Sequence, residues 1–422
     1  MIALALAIPF LFLHVKFQPG VRVPLGSTHL GLETSDLAVI VVAIVALRDG
    51  LRHGFERLRP ALWLWVAVAL LLLWILVRSQ SLTHFVTAAK FAEYALLALS
   101  LPLILRRRDQ WEVVAAVVVA WSVAATLVAL LQIFGVGFLD AWAAGRRQPS
   151  FLGHSDFAAL SAFALAIGLA AVLVRRLPVG WVGIASGVVG LMLAGATAGL
   201  IGTVAGVAGL LVAIARRRTL AWRDFAITGG CVALVAAGVL TLRAGDFEHF
   251  LRFLHLKGRE TQTNNIETYS QHSLLAYIGY RIWRDHPVAG AGWQASTEPE
   301  TVDPVLPAAH AKFPNVSPLA FPTSAHEWGV QNAYVQSAAD LGLVGLVLWL
   351  APFAIAVVLA LGANAPPGAV AAFAVLAAMG VWLGQGLVAG IPLDALTWLG
   401  FGLAATAAAQ RSSVLARGKW NA

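Results

Sequence analysis

Long apolar runs separated by short polar links fill most of this 422-residue chain. Twelve runs reach or approach the ~20 residues a helix needs to cross the hydrocarbon core of a bilayer. They lie at 2–17, 36–47, 61–77, 85–105, 112–134, 155–174, 179–196, 199–215, 222–242, 331–361, 369–389 and 393–410. The first two are short or interrupted, and the seventh and eighth are divided only by GATAG. The pattern predicts an all-α, polytopic membrane protein of about twelve transmembrane helices. One polar stretch, 243–330, is too long to be a simple link. The chain therefore divides into a nine-helix part (1–242), a long loop (243–330) and three C-terminal spans (331–422).

Composition agrees. Hydrophobic residues make up 59% of the chain and charged residues 12%, with a mean hydropathy of +0.79. A soluble domain carries about 25% charged residues. The net charge of +8 could suggest nucleic acid, but the basic residues cluster between apolar runs, the pattern of loops held at an anionic membrane face. No nucleic-acid partner is expected. The lone Cys231 sits in an apolar run, so one chain can form neither a disulfide framework nor a cysteine metal site. MIALALAIPFLFLHVKF has no basic n-region and no small-residue cleavage site, and reads as a retained span.

The basic residues also set the expected orientation. With a cytoplasmic N-terminus, sixteen of them fall in cytoplasmic links and the C-terminal tail, chiefly 48–59, 106–108, 175–176 and 216–223. The short outer links carry five: Lys16, Arg22, Arg78, Arg146 and Arg147. Twelve spans with both termini cytoplasmic keep this alternation at every link. Residues 243–330 then lie outside, and their aromatics argue against simple disorder.

Four groups of residues could carry chemistry. In HSLLAYIGYRIWRDHPVAGAGW (272–293), Leu274, Leu275, Ile278 and Ile282 mark an amphipathic helix, with Tyr277, Arg281 and Arg284 on another face. Two arginines one turn apart offer paired forks for phosphate; lipid headgroups would serve equally. In GRRQPSFLGHSDFAAL, Arg146 and Arg147 break the positive-inside trend, and His154 stands where a helix should begin. Anion binding accounts for the arginines; Ser155 or Asp156 reads as a helix cap. In HEWGVQNAYVQSAADLGLVG (326–345), His326 is the best-placed outer general base. Gln331 and Asn332 could bind sugar hydroxyls or cap the following span. Lys90 and Glu93, at i and i+3 within a span, read as a structural pair. Asp340 reads as structural, because Gly342 and Gly345 beside it suggest close packing. There is no P-loop, no GxGxxG after a strand, no HExxH and no cluster with metal-ligand spacing. Neither cofactor nor metal is expected, and any glycosyl donor should be lipid-linked.

RIWRDHPVAGAGW (281–293) followed by QNAYVQSAADLGLVG (331–345) resembles the O-antigen ligase and O-antigen polymerase superfamily of bacterial inner-membrane proteins. That family combines an arginine-bearing helix, a Pro-x-x-Gly-x-Gly turn, and His-Asn-x-Tyr before an acidic residue and Gly-x-x-Gly. The resemblance implies metal-independent glycan transfer on the extracytoplasmic face, from an undecaprenyl-diphosphate-linked donor to a lipid or glycan acceptor, amid membrane lipids. Carried over, Arg281 matches the family arginine, which implies a catalytic, diphosphate-holding role, and Asn332, Tyr334 and the Gly290/Gly292 turn match too; beside the resemblance, Arg284, Arg146 and Arg147 are expected to add charge around the diphosphate. The expected substrate-binding set is Asn332 and Tyr334 together with Gln331, Tyr277 and His154, the last three taken from their own positions in the chain. Two positions depart from the pattern. Gln331 replaces the family histidine, which leaves His326 to act as base. The 195–202 segment lacks the family arginine, whose charge Arg146 or Arg147 could replace. A transporter of lipid-linked or amphipathic solutes, and a non-catalytic envelope scaffold, are the alternatives.

Overall fold

The computed structural model describes residues 1–422 except 26–27, 138, 140–145, 258–265, 324–325, 327, 364–365, 384–394 and 420–422. Each of the twelve apolar runs overlaps a helix over part or all of its length, and 384–389 and 393–394 of the last two lie outside the described residues. In chain order these are α1 (Ile2–Phe12), α2 (Thr34–His53), α3 (Leu62–Arg78), α4 (Leu82–Ile104), α5 (Arg108–Ile133), α6 (His154–Leu169), α7 (Gly180–Ala194), α8 (Thr197–Ala215) and α9 (Trp222–Leu242). Four helices follow in the long polar segment: α10 (Ala244–Phe253), α11 (Thr268–Asp285), α12 (Pro299–Val302) and α13 (Leu306–Lys312). The chain ends with α14 (Ala333–Gly362), α15 (Pro366–Val381) and α16 (Ala395–Lys419). Among the described residues, seven helices are long and apolar enough to cross a membrane, and α1, α7 and α15 are apolar but shorter. The protein is a membrane-embedded helical bundle.

Burial separates the interior of that bundle from its rim. The span containing α6, which continues through a π-turn at Ala170–Val174, is 89% buried, whereas α9 is only 22% buried. The exposed side of α9 and α3 is apolar, with Leu234, Leu73 and Val77 outward, as a lipid-facing wall requires. Helices pack through small residues. Gly183 and Gly187 of α7 lie against the α6 backbone, and Gly202 and Gly209 of α8 lie against α15. A methyl group at any of these would meet a backbone carbonyl.

The link between α1 and α2 is an antiparallel hairpin, β1 (Gly20–Leu25) with β2 (Thr28–Glu33), in register Gly20 to Glu33. Val21 and Val23 alternate with Arg22 and Pro24 along β1. Lys90 pairs mainly with Asp36 of α2, and its contact to Glu93 is longer at 3.9 Å. The expected i, i+3 pair is thus one arm of a bridge between two helices.

The polar segment has a core of its own. Leu274, Leu275, Ile278 and Ile282 of α11 pack against Val302, Val305, Ala309 and Phe321. Ala339 of α14 completes this cluster, so the cap is built onto the bundle.

The two segments that carry the resemblance meet at a break in α14. Gly342 leaves the helical region at φ 69°, ψ −170°. The 287–292 turn fills the gap with its backbone. Ala291 and Gly292 N–H donate to the carbonyls of Ala339 and Asp340 (2.8 and 2.9 Å), and Leu343 N–H donates to the Pro287 carbonyl (2.9 Å). Trp74 Nε1 donates to the Leu341 carbonyl (3.0 Å). Irregular backbone within a membrane bundle survives only where its polar groups are satisfied like this. Asp340, fully buried, accepts from Ser296 N–H at 2.8 Å. The glycines are therefore structural: Gly290 (φ 72°) lies against the backbone of Asp340 and Leu341, and Gly342 against that of Val288 and Ala289, with no room for Cβ. Gly342→Ala should cost about 3 kcal/mol, combining left-handed backbone strain with overpacking. A detergent-solubilised variant that melts with the parent would refute this account of the break.

Candidate functional site

Several helix ends converge beneath the cap. The N-termini of α6, α8 and α14 and the C-terminal ends of α7 and α9 meet there, and α11 lies across them. Between them is a cavity of about 440 Å³ whose walls include Arg147, Arg243, Tyr269, His272, Gln331 and Asn332.

Each polar side chain is placed by local structure. Arg243 follows the last apolar residue of α9 and is only 7% exposed. Asp246, one turn on, takes hydrogen bonds from its Nε (2.7 Å) and Nη2 (2.6 Å). The guanidinium lies 5.1 Å from the centre of the Tyr269 ring, in the cation–π range. Arg147 comes from the α5–α6 link. Its Nε donates to the Ala194 carbonyl at 3.0 Å, capping the C-terminus of α7. Its stem packs on Gly195, which ends α7 in the left-handed conformation. Burial, and then the Arg243 charge, push the Arg147 guanidinium down to about 10. Arg147 stays charged at neutral pH, under repulsion from the neighbouring Arg243. An anion between them would relieve that repulsion.

Helix ends add to the field. α8 begins at Thr197 without a side-chain cap, and Ala196, Thr197 and Ala198 line the cavity. Unsatisfied N–H groups and the helix dipole make such an end favourable for an anion. Ser155, in the first turn of α6, also faces the cavity. Asn332 caps α14 by accepting from Tyr334 and Val335 N–H, both at 3.1 Å. Its Nδ2 donates to the Leu383 carbonyl (3.2 Å). Thr197 Oγ1 and the Tyr269 hydroxyl share a 2.6 Å hydrogen bond that ties α11 to α8.

His272 is the cavity's imidazole. It lies on the face of α11 that carries Tyr269 and Ala276, about one turn away on either side. Burial, and then the Arg243 charge, push its pKa down to about 4. It is neutral at physiological pH and able to accept a proton.

No family model and no curated protein matches the chain.

The cavity contains three of the residues picked out by sequence: Arg147, Gln331 and Asn332. His154 starts α6 within electrostatic reach of Arg147 and Arg243, and its Nδ1 is buried without a hydrogen bond. The others lie elsewhere. Arg281 is nine positions from His272, about half a turn around α11. It donates to the Tyr277 hydroxyl (3.1 Å), and Lys312 approaches the same ring. Arg284 is exposed beside Asp285 at 3.6 Å, and Arg146 is exposed. Tyr334 donates to the Met379 carbonyl (2.6 Å) and packs edge-on to Trp349. His326 is exposed and stacked on Trp328, outside the cavity wall. Among the described residues no group of three His, Cys, Asp or Glu could hold a metal.

Sequence reading missed Arg243, Tyr269 and His272. Arg243 had a usable signal: it directly follows an apolar run on the side where arginine is scarce. His272 had none, because only the packing of α11 decides which of its faces meets the cavity.

Proposed function

We propose that this cavity binds the diphosphate of a lipid-linked glycan, and that the protein transfers the glycan to an acceptor hydroxyl on the extracytoplasmic face. The observation that carries this reading is the pairing of Arg147 and Arg243 at the uncapped N-terminus of α8. Paired guanidinium forks and free backbone N–H groups suit a diphosphate. Such groups lower the barrier by stabilising charge that develops on the leaving group. His272 takes the proton of the acceptor hydroxyl. The acceptor oxygen bonds to the anomeric carbon as the bond to the diphosphate oxygen breaks, and the electron pair leaves with undecaprenyl diphosphate. Gln331, Asn332 and Thr197 offer hydrogen bonds to sugar hydroxyls. Arginine is dense at the other end of the bundle, which supports an extracytoplasmic position for the cavity in a bacterial inner membrane.

The resemblance to O-antigen ligases and polymerases points the same way, with the roles redistributed. Arg147, lying against Gly195, supplies charge where the family has its arginine between the seventh and eighth spans. His272 takes the proton-accepting role in place of His326. Arg281 serves the Tyr277 cluster, and Arg281→Ala should leave transfer within about twofold of the parent, as for most replacements remote from a site. Loss of turnover in that variant would return Arg281 to the diphosphate role.

One observation favours a transporter instead. A broken helix such as α14 is common in that class, and Asp340 lies at the break. The break is filled by the backbone of 287–292 rather than by a substrate path. Purified protein in proteoliposomes, given an undecaprenyl-diphosphate-linked glycan and an acceptor, separates the readings. Transfer predicts covalent consumption of the donor. Movement of intact donor between leaflets would mark a transporter.

A further inference from the structure

A second large space opens on the flank of the bundle, near its arginine-rich end. It is a groove of about 530 Å³ between α5, the end of α6, the start of α7 and the start of α15. Its walls are apolar and small, among them Ala115, Ala120, Val123, Gly168 and Gly183. The π-turn at Ala170–Val174 distorts α6 beside it. Along α5 the groove runs from Trp111 to Val123, about 18 Å at the rise of an α-helix. That is close to one leaflet, half of the ~30 Å hydrocarbon core.

The polar end of the groove is charged. Glu112 Oε1 accepts from Arg175 Nη1 at 2.6 Å and from Arg108 Nε at 3.0 Å. Two guanidiniums share one carboxylate, so the mouth keeps a net positive charge. Arg108 remains largely exposed, with donors free for another acceptor.

We propose that the groove holds one acyl chain of an anionic phospholipid, whose phosphate rests on Arg108 and Arg175. Chain length is matched by one leaflet of apolar wall, and headgroup charge by the mouth. The site lies at the opposite end of the bundle from the basic cavity and does not depend on glycan transfer.

Native mass spectrometry of detergent-purified protein, supplied with equal phosphatidylglycerol and phosphatidylcholine, tests the proposal without any turnover. One phosphatidylglycerol should be retained about fivefold over phosphatidylcholine, the effect of roughly one net basic residue near an anionic surface. Ala120→Trp, at an exposed position on the wall, should fill the groove and remove both lipids. Arg108→Gln should equalise the two lipids while keeping one bound. Glu112→Gln should widen the preference. Equal retention by the parent protein, an unchanged preference in Arg108→Gln, or a dimer in place of the lipid adduct would overturn the assignment. The Arg108 and Glu112 variants alter exposed side chains, so the test stands if Ala120→Trp does not fold.

Discussion

Replacing both Arg147 and Arg243 with glutamine should lower kcat/KM for glycan transfer by about 10³, at about 2 kcal/mol for each charged hydrogen bond to phosphate. Arg147 is anchored through Nε to the Ala194 carbonyl, which leaves its terminal nitrogens for ligand. Arg243 is held by Asp246 through Nε and Nη2. Neither anchor is lost to glutamine outright, so the bundle should still assemble. If the arginines act on charge that develops in the transition state, kcat should fall with kcat/KM. If they only hold the donor, KM should rise alone. The double variant should also lose most of its salt dependence, since screening acts through those charges. Transfer that survives at more than a tenth of the parent rate would sink the diphosphate assignment.

His272→Ala should reduce kcat by about 10² to 10⁴, the range of general base catalysis. The pH profile is the sharper test. Burial and Arg243 hold His272 near 4, below the ordinary histidine value of about 6.5. The base must be neutral, so the acid limb of kcat/KM should fall near pH 4 and activity should stay flat through pH 6. In kcat the limb should move up, because a bound diphosphate adds negative charge that favours the imidazolium. Stability has a definite sign too. Between pH 6.5 and 4 the unfolded chain binds the proton and the folded chain does not, so stability falls as pH falls through that window. His272→Ala should flatten that slope. A limb at pH 6.5, or an unchanged profile in His272→Ala, would move the base elsewhere; His326→Ala would then be the variant to examine.

The resemblance segments show why some residues singled out in the sequence line the cavity and others do not. PVAGAG and ADLGLVG are visible as motifs, and their physical purpose is the seal at the α14 break. Asp340, read as structural, is fully buried and caps the Ser296 N–H. Gln331 and Asn332 were legible because they stand at the polar mouth of an apolar helix, and such a mouth lies at the bundle end. Arg281 and His326 matched expected chemistry equally well. They miss the cavity because one lies half a turn from His272 on α11 and the other stacks outward on Trp328.

Hydropathy alone determined the helical membrane architecture, because satisfying backbone polar groups within a bilayer leaves few alternatives to helices. Spacing along the chain also separated the arginine-rich links from the few stray arginines. Which arginines meet at the cavity belonged to tertiary structure. Arg147 and Arg243 are nearly a hundred residues apart, and they share a cavity only because α6–α7–α8 and α9–α11 close around one helix N-terminus. Rotation of α11 about its own axis decided that His272, rather than Arg281, faces the same space. That rotation is fixed by Leu274, Leu275, Ile278 and Ile282 burying themselves against the cap. Pairwise packing between distant segments sets such an angle, and no local pattern of residues contains it.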